Sequence, residues 1–199
     1  MRSDVTESVA QAFSELSSLL ERSASAHAAT IEQIASRYTR TLRNGGTLYF
    51  GGNGGSAADA QHCAAEYVVR YSHKRPDRRA YAAVALGTDV ALLSAASNDL
   101  TFEKAYARQV EALVTQRDLL ILHSTSGRSP NLLAAAEAAR VKGTPVIALL
   151  GRDGGPLRAM ADIALVVDHD DTGRIQLVHM AVQHVIVGLV ESRLTAPGT

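Results

Sequence analysis

The chain has 199 residues, a formal net charge of +0, and 46% hydrophobic against 20% charged residues. That balance excludes a disordered chain and gives one domain with room for a core, while the neutral total excludes nucleic-acid or membrane-surface binding driven by global charge. The single cysteine, Cys63, excludes an intrachain disulfide and fits a reducing compartment. The acidic N-terminus has no apolar signal core, and no apolar run reaches the ~18 residues a membrane span needs.

Residues 5–43 read as two helices. The first carries the stripe Val9, Phe13, Leu16, Leu19 and Leu20, and the second Ile31, Ile34, Tyr38 and Leu42. Ser23 to Ser25 reads as the break, and Asn44-Gly45-Gly46 as the stop. These helices pack either on their own domain or on another subunit. The stretch that follows, residues 47–66, organises the rest. Leu48, Tyr49 and Phe50 form a buried strand, then Gly51, Gly52, Gly54 and Gly55, broken only by Asn53, let the backbone approach a ligand. Ser56 reads as the N-cap of a helix over 57–69, whose first amides have no intrahelical acceptor and suit an anion. His62 and Glu66 follow at i,i+4, on one helix face. Alone they make a surface ion pair; beside a glycine loop they become a candidate acid/base or metal pair.

Residues 70–79 form a basic loop, either a solvated connection or, through Arg70 one turn beyond Glu66, a phosphate contact. A strand over 81–86 and a short helix over 89–96 precede a turn at Ser97-Asn98-Asp99. A helix over 102–113 leads to a strand over 119–122. Next comes a loop with four hydroxyls, Ser124, Thr125, Ser126 and Ser129, around Gly127, just before Pro130 at a helix start. Hydroxyls beside helix N-terminal amides suit a phosphate monoester. A helix over 132–142, a strand over 146–150, a glycine-rich loop, a strand over 163–167 and a long apolar helix over 175–193 complete the chain. Gln176, His179 and His184 lie in that last helix. Two histidines with a glutamine suggest a metal or acid/base site, whereas a single one there is an ordinary core residue.

Strands alternating with helices predict an α/β fold: a single-domain three-layer sandwich around a central parallel sheet, preceded by N-terminal helices. Both the glycine and the hydroxyl loops then lie at the carboxyl edge of the sheet, where such folds bind ligands. The loop matches G-x-G-x-x-A, but no acidic residue ends the next strand, which argues against a dinucleotide. A Walker A lysine and a G-x-S-x-G elbow are both missing from the sequence.

In order along residues 5–193, GGNGGSAADAQH-x3-E, the SND turn, STSGRSPN and TGRIQ-x2-H-x4-H resemble the phosphoheptose (sedoheptulose-7-phosphate) isomerase family of the SIS fold. The resemblance implies one SIS domain over 1–199, with 1–44 a helical oligomerisation segment and 45–199 the α/β core. It implies a cytoplasmic homotetramer with active sites at subunit interfaces, acting on a small sugar phosphate, with neither nucleic acid nor membrane as partner. The implied reaction takes D-sedoheptulose 7-phosphate to D-glycero-D-manno-heptose 7-phosphate, on the way to heptose for bacterial lipopolysaccharide or capsule. By motif, the substrate-binding set is Asn53, Gly54, Gly55, Ser56, Glu66, Arg70, Asn98, Asp99, Ser124, Thr125, Ser126, Ser129 and Gln176. His62, Glu66, Gln176 and His184 match the family's Zn²⁺ positions, with Glu66 as base and His184 as acid. The chain departs from the family at Arg128, where relatives often carry Asn or Lys, which puts an extra charge at the phosphate loop, and at Leu177, where many carry Glu. Gln176 and His184 are eight residues apart, about 12 Å of rise on one straight helix. Either Gln176 precedes the helix or the two ligands come from different subunits. A non-catalytic SIS protein that binds a protein partner or senses a sugar phosphate, or an isomerase of another phosphosugar, are the alternative readings.

Overall fold

Five short apolar segments of the chain become one parallel sheet. β1 (Leu48–Gly52), β2 (Ala83–Ala85), β3 (Leu119–Ser124), β4 (Val146–Gly151) and β5 (Ile163–Val167) pair in the order β2-β1-β3-β4-β5. The computed structural model describes residues 2–73 and 78–195, with side chains from residue 5 onward in the first stretch. Lys74 to Asp77 of the basic loop lie outside the described residues. Every residue of β1, β3 and β4 is buried, as continuous apolar runs covered on both faces must be.

The helices are α1 (Arg2–Arg43), α2 (Gly55–Val68), α3 (Val90–Asp99), α4 (Ala105–Leu113), α5 (Pro130–Val141), α6 (Gly155–Met160) and α7 (Thr172–Leu194), with a 3₁₀ turn at Phe102–Lys104. Alternating strand residues feed two cores. Leu48, Phe50, Leu119, Ile121, Ile147 and Leu149 pack with α1, α2 and α7. Tyr49, Leu120, Leu122, Ala148 and Leu150 pack with α4 and α5 on the other face. The chain places β2 on one side of β1 and then returns to place β3 on the other. The crevice beyond β1 and β3 is therefore the topological switch point, and both predicted loops open there.

Several expectations change. α1 is a single helix, because Ser23 to Ser25 do not break it: Ser23 is buried in the α1 stripe and Ser25 Oγ donates to its own i−4 carbonyl, Glu21 O. The N-cap of α2 is Gly54, at φ 54°, and Ser56 lies inside the helix, buried. Asn98 and Asp99 form the last turn of α3 rather than a separate turn. β2 is shorter than its apolar run, since it pairs only with β1 at the sheet edge. α6 lies where the sequence presents only a glycine-rich loop and the approach to β5, although Pro156 at its start is a helix signal. α7 is long and apolar enough to cross a membrane by length and composition, and half of it is buried. It carries Gln176, His179, Gln183, His184 and Glu191 and packs on α1 and α2 as a core helix.

Candidate active site

Two loops and the start of α7 enclose a cavity of about 320 Å³ lined by Asn53, Gly54, Gly55, Ser56, Ser124, Thr125, Ser126, Ser129 and Gln176, with His123 and Thr172. The glycine loop turns at Gly54, and the first bonded amides of α2 are Ser56 N to Asn53 O and Ala57 N to Gly54 O. The amides before them stand at the helix's positive end beside the cavity. A side chain at Gly55 would strike the Gln176 amide, at 2.7 Å. Gln176 Nε2 donates to Ser56 Oγ at 3.3 Å, closing that wall.

The hydroxyl loop folds on itself. Ser124 Oγ accepts from Gly127 N and Ser126 Oγ from Arg128 N, so both hydroxyl protons remain available to an anion. Ser129 caps α5 without a side-chain bond and lines the cavity with its hydroxyl. Asn53 and Asn131 exchange reciprocal amide hydrogen bonds of 2.9 and 2.8 Å, tying the glycine loop to α5. Tyr106 OH donates to Gly52 O and holds the end of β1. Arg128 does not line the cavity, contrary to the expected charge at the phosphate loop. It pairs with Asp153 at 2.5 Å, both more than half exposed. A larger hollow of about 630 Å³ beside α4 and α5 is lined by Lys104, Arg108, Glu111, Glu137 and Lys142 among apolar side chains. It lacks the converging hydroxyls and loop amides that suit a phosphate ester.

The second constellation sits further along α2 and α7. His62 Nε2 lies 3.1 Å from Glu66 Oε1 and 3.1 Å from His184 Nε2. One atom from each of the three falls within 4.8 Å of the others. Tyr71 covers the His184 ring at 5.6 Å between centroids. Asp59, one turn before His62, has a buried Oδ2 without a hydrogen-bond partner, and burial pushes its carboxyl up to about 6 against the opposing pull of His62. Ligand atoms at ~2.0–2.1 Å from a tetrahedral Zn²⁺ stand about 3.3 Å apart, and the two 3.1 Å separations from His62 Nε2 are close to that spacing, so His62, Glu66 and His184 are a donor set suited to such an ion.

The predicted residues therefore divide into two groups. The cavity gathers Asn53 to Ser56, the four loop hydroxyls and Gln176. His62, Glu66 and His184 gather elsewhere. Gln176 does not precede α7: it and His184 share that helix, about 12 Å apart along its axis, and Glu66 is about 15 Å along α2 from Ser56. Arg70 is exposed just beyond α2, and Asn98 and Asp99 are exposed at the end of α3 and bonded to each other; none of the three lines the cavity. The sequence reading missed Asn131, visible only as part of the Ser-Pro-Asn motif, and missed Arg78, hidden in what read as a solvated charge run.

A parallel sheet whose switch point carries a glycine loop, a hydroxyl loop and the start of a helix defines an α/β domain of the phosphosugar-binding class. The SIS domain family matches residues 12–151. The phosphoheptose isomerase of Trichlorobacter lovleyi is 45% identical over 166 residues, 83% of either chain. The solved phosphoheptose isomerase of Neisseria gonorrhoeae superposes with a TM-score of 0.87 at 38% identity, covering 94% of this chain and 99% of that one. The structure from Francisella tularensis gives 0.89 at 32% identity, covering 94% and 98%. The chain belongs to the phosphoheptose isomerase family of SIS-domain proteins.

Proposed function

We infer that the chain is an aldose–ketose isomerase that converts D-sedoheptulose 7-phosphate to D-glycero-D-manno-heptose 7-phosphate in heptose biosynthesis. The observation that carries this reading is a cavity lined by loop glycines and hydroxyl residues in the same fold as a converging His62–Glu66–His184 cluster. The loop amides and the hydroxyls of Ser124, Thr125, Ser126 and Ser129 bind the phosphate and fix the sugar chain. Glu66 directs Oε1 at His62, which leaves Oε2 for the proton. It removes the C1 proton of the ketose, and the C1–H electrons become the C1=C2 bond of a cis-enediol. His184 gives a proton to the C2 oxygen and takes one from the C1 hydroxyl. Glu66 returns its proton to C2, and the product carries its carbonyl at C1. Positioned groups of this kind each contribute on the order of 10²–10⁴ in rate. His62, Glu66 and His184 would hold a Zn²⁺ ion, which when bound polarises the carbonyl oxygen and favours the enediolate charge.

Within one chain the two groups of residues lie at the two ends of one substrate's reach. An extended seven-carbon phosphate spans about 8–10 Å from phosphorus to C1, at the ~1.2 Å per bond of an extended chain. Glu66 and His184 lie about 12–15 Å along α2 and α7 from Ser56 and Gln176 of the cavity, a span that one substrate with its ~3 Å contacts at either end only just bridges. This supports a composite site in which the cavity of one subunit faces the cluster of another, with Gln176 of the facing subunit at the open metal position. Arg70, Asn98 and Asp99, which do not line the cavity of their own chain, then serve a neighbour's. The first part of α1 favours such an assembly: Val5, Val9 and Phe13 are 66, 52 and 72% exposed along one stripe. α3 adds an apolar helix with no buried residue. A homotetramer with interface sites covers both, and a cytoplasmic setting suits both its sugar-phosphate substrate and the free Cys63.

The test is to incubate the metal-analysed protein with sedoheptulose 7-phosphate and follow the aldose by NMR, with and without a chelator. Turnover that falls on chelation and returns with Zn²⁺ supports the reaction and the metal together. Glu66→Gln and His184→Gln should each lower kcat by about 10²–10⁴ with the fold intact. Near-full activity of either variant removes that residue's role, and an inactive, folded, metal-replete wild type overturns the isomerase reading.

A further inference from the structure

We propose that Arg78, paired with Glu191, is a positioning residue for the catalytic pair: it locks the last turn of α2 to α7 and so sets where Glu66 meets His184. The proposal rests on the isomerase reading for the roles of Glu66 and His184. Arg78 Nε meets Glu191 Oε1 at 2.6 Å, and the two side chains are 2% and 4% exposed. The same guanidinium donates from Nη2 to the carbonyl of Glu66 at 2.5 Å and from Nη1 to those of Tyr67 at 2.9 Å and Arg79 at 2.8 Å. Its plane lies over the Tyr81 ring, 4.8 Å from the centroid.

The carbonyls at the end of a helix lack intrahelical donors and carry the negative end of its dipole, so a cation there completes α2. Only a planar guanidinium offers donors in a fixed fork to a carboxylate and several carbonyls at once. One of those carbonyls belongs to Glu66 itself. Glu191 lies two turns beyond His184 on the same face of α7. α2 and α7 run side by side, joined first by Ser56 and Gln176, then by His62 and His184, and finally by Arg78 and Glu191. Loss of this last link frees the two helices to slide, and a misplacement of about 1 Å at reacting groups costs on the order of 10²-fold in rate.

Stability alone does not require the ion pair itself, because buried ion pairs are often replaced by apolar side chains without loss of stability, and what an apolar pair would cost here is the guanidinium's bonds to the carbonyls of Glu66 and Arg79. That separates the two roles. In the double variant Arg78→Met/Glu191→Met, the lost carbonyl bonds should lower Tm by a few degrees with the fold intact, while Zn²⁺ affinity, measured by competition with a chromogenic chelator, falls about 10–100-fold. The kcat should fall by about 10–100-fold, with KM for sedoheptulose 7-phosphate within about twofold, because the cavity does not touch the end of α2. Arg78→Lys, which keeps the charge but loses the fork, should show the same split more mildly and guards against a double variant that fails to fold. Wild-type kcat and Zn²⁺ affinity in a stable double variant, or in Arg78→Lys, would overturn the proposal. An inactive wild type would instead overturn the isomerase reading, and the Zn²⁺ competition would still decide the role of Arg78.

Discussion

At the scale of single residues, the hydroxyl loop depends on Gly127. Its φ is +62°, and an added Cβ would lie 1.8 Å from Gly154 O, backbone against backbone. Gly143, at the end of α5, also has a positive φ, +69°, but nothing lies within 4 Å of its added Cβ. The pair separates two costs. Gly143→Ala bears only the left-handed backbone term, about 1–2 kcal/mol, and should lower Tm by a few degrees while phosphate binding is unchanged. Gly127→Ala bears that term and a clash with no flexible side chain to yield. It should lower Tm further and weaken inorganic phosphate binding, read by calorimetry, at least about tenfold, or 1.4 kcal/mol. Equal effects in both variants would show that the interlock with Gly154 does not shape the cavity. Gly127 was visible in the sequence as the one glycine among four hydroxyls, but its partner loop was not. No local pattern tells that residues 127 and 154 touch. The same holds for Asn53, which lines the cavity and whose side-chain amide also bonds Asn131, 78 residues away.

At the scale of elements, the fully buried strands were the most legible, because continuous apolar runs of that length have one use in an α/β fold. Helix ends and short helices were less so. Serines at 23 to 25 imitate a break but bond within the helix, and α6 is too short to show a period. The histidines of α7 illustrate the limit most clearly. Sequence placed His179 and His184 in one apolar segment, and only the packing assigns one to the core and the other to the site. His179 and His123 of β3 are fully buried, 6.1 Å apart between ring centroids. His179 Nε2 donates to Leu150 O, and His123 Nε2 faces the Gln183 amide, which also reaches Tyr38 OH. Burial, with the neighbouring His179, pushes His123 down to about 3, and burial pushes His179 down to about 4 despite its carbonyl bond. Both pKa values lie below the unfolded value near 6.5. The unfolded chain therefore takes up protons that the folded one refuses. Their contribution to stability is complete above pH ~6.5 and is lost as pH falls from there toward 3–4, at up to about 1.4 kcal/mol per pH unit for each histidine. Urea midpoints measured between pH 7 and pH 5 should fall accordingly. His179→Gln, which keeps a donor for Leu150 O, should flatten that slope by about one proton. An unchanged slope would mean that other groups govern acid stability.

At the scale of the whole molecule, a single chain carries two groups of candidate residues, one at the sheet edge and one further along α2 and α7. The sheet edge gathers the glycine and hydroxyl loops, while α2 and α7 carry His62, Glu66 and His184 further along their length. Sequence motifs named both groups, because glycine loops, hydroxyl runs and i,i+4 pairs are local. Their separation follows from helix rise and could be anticipated only where Gln176 and His184 share one segment. If the working site combines the cavity of one subunit with the cluster of the next, two inactive variants should rescue each other. Ser124→Ala/Ser129→Ala damages the cavity, and Glu66→Gln damages the cluster. Each alone should be nearly inactive. Unfolded together and reassembled in equal amounts, they should recover about a quarter of wild-type turnover, since a site drawing its halves at random from two subunits finds both intact one time in four. Simple mixing without subunit exchange should recover nothing. If reassembly also recovers nothing while mixed oligomers form, cavity and cluster belong to the same chain.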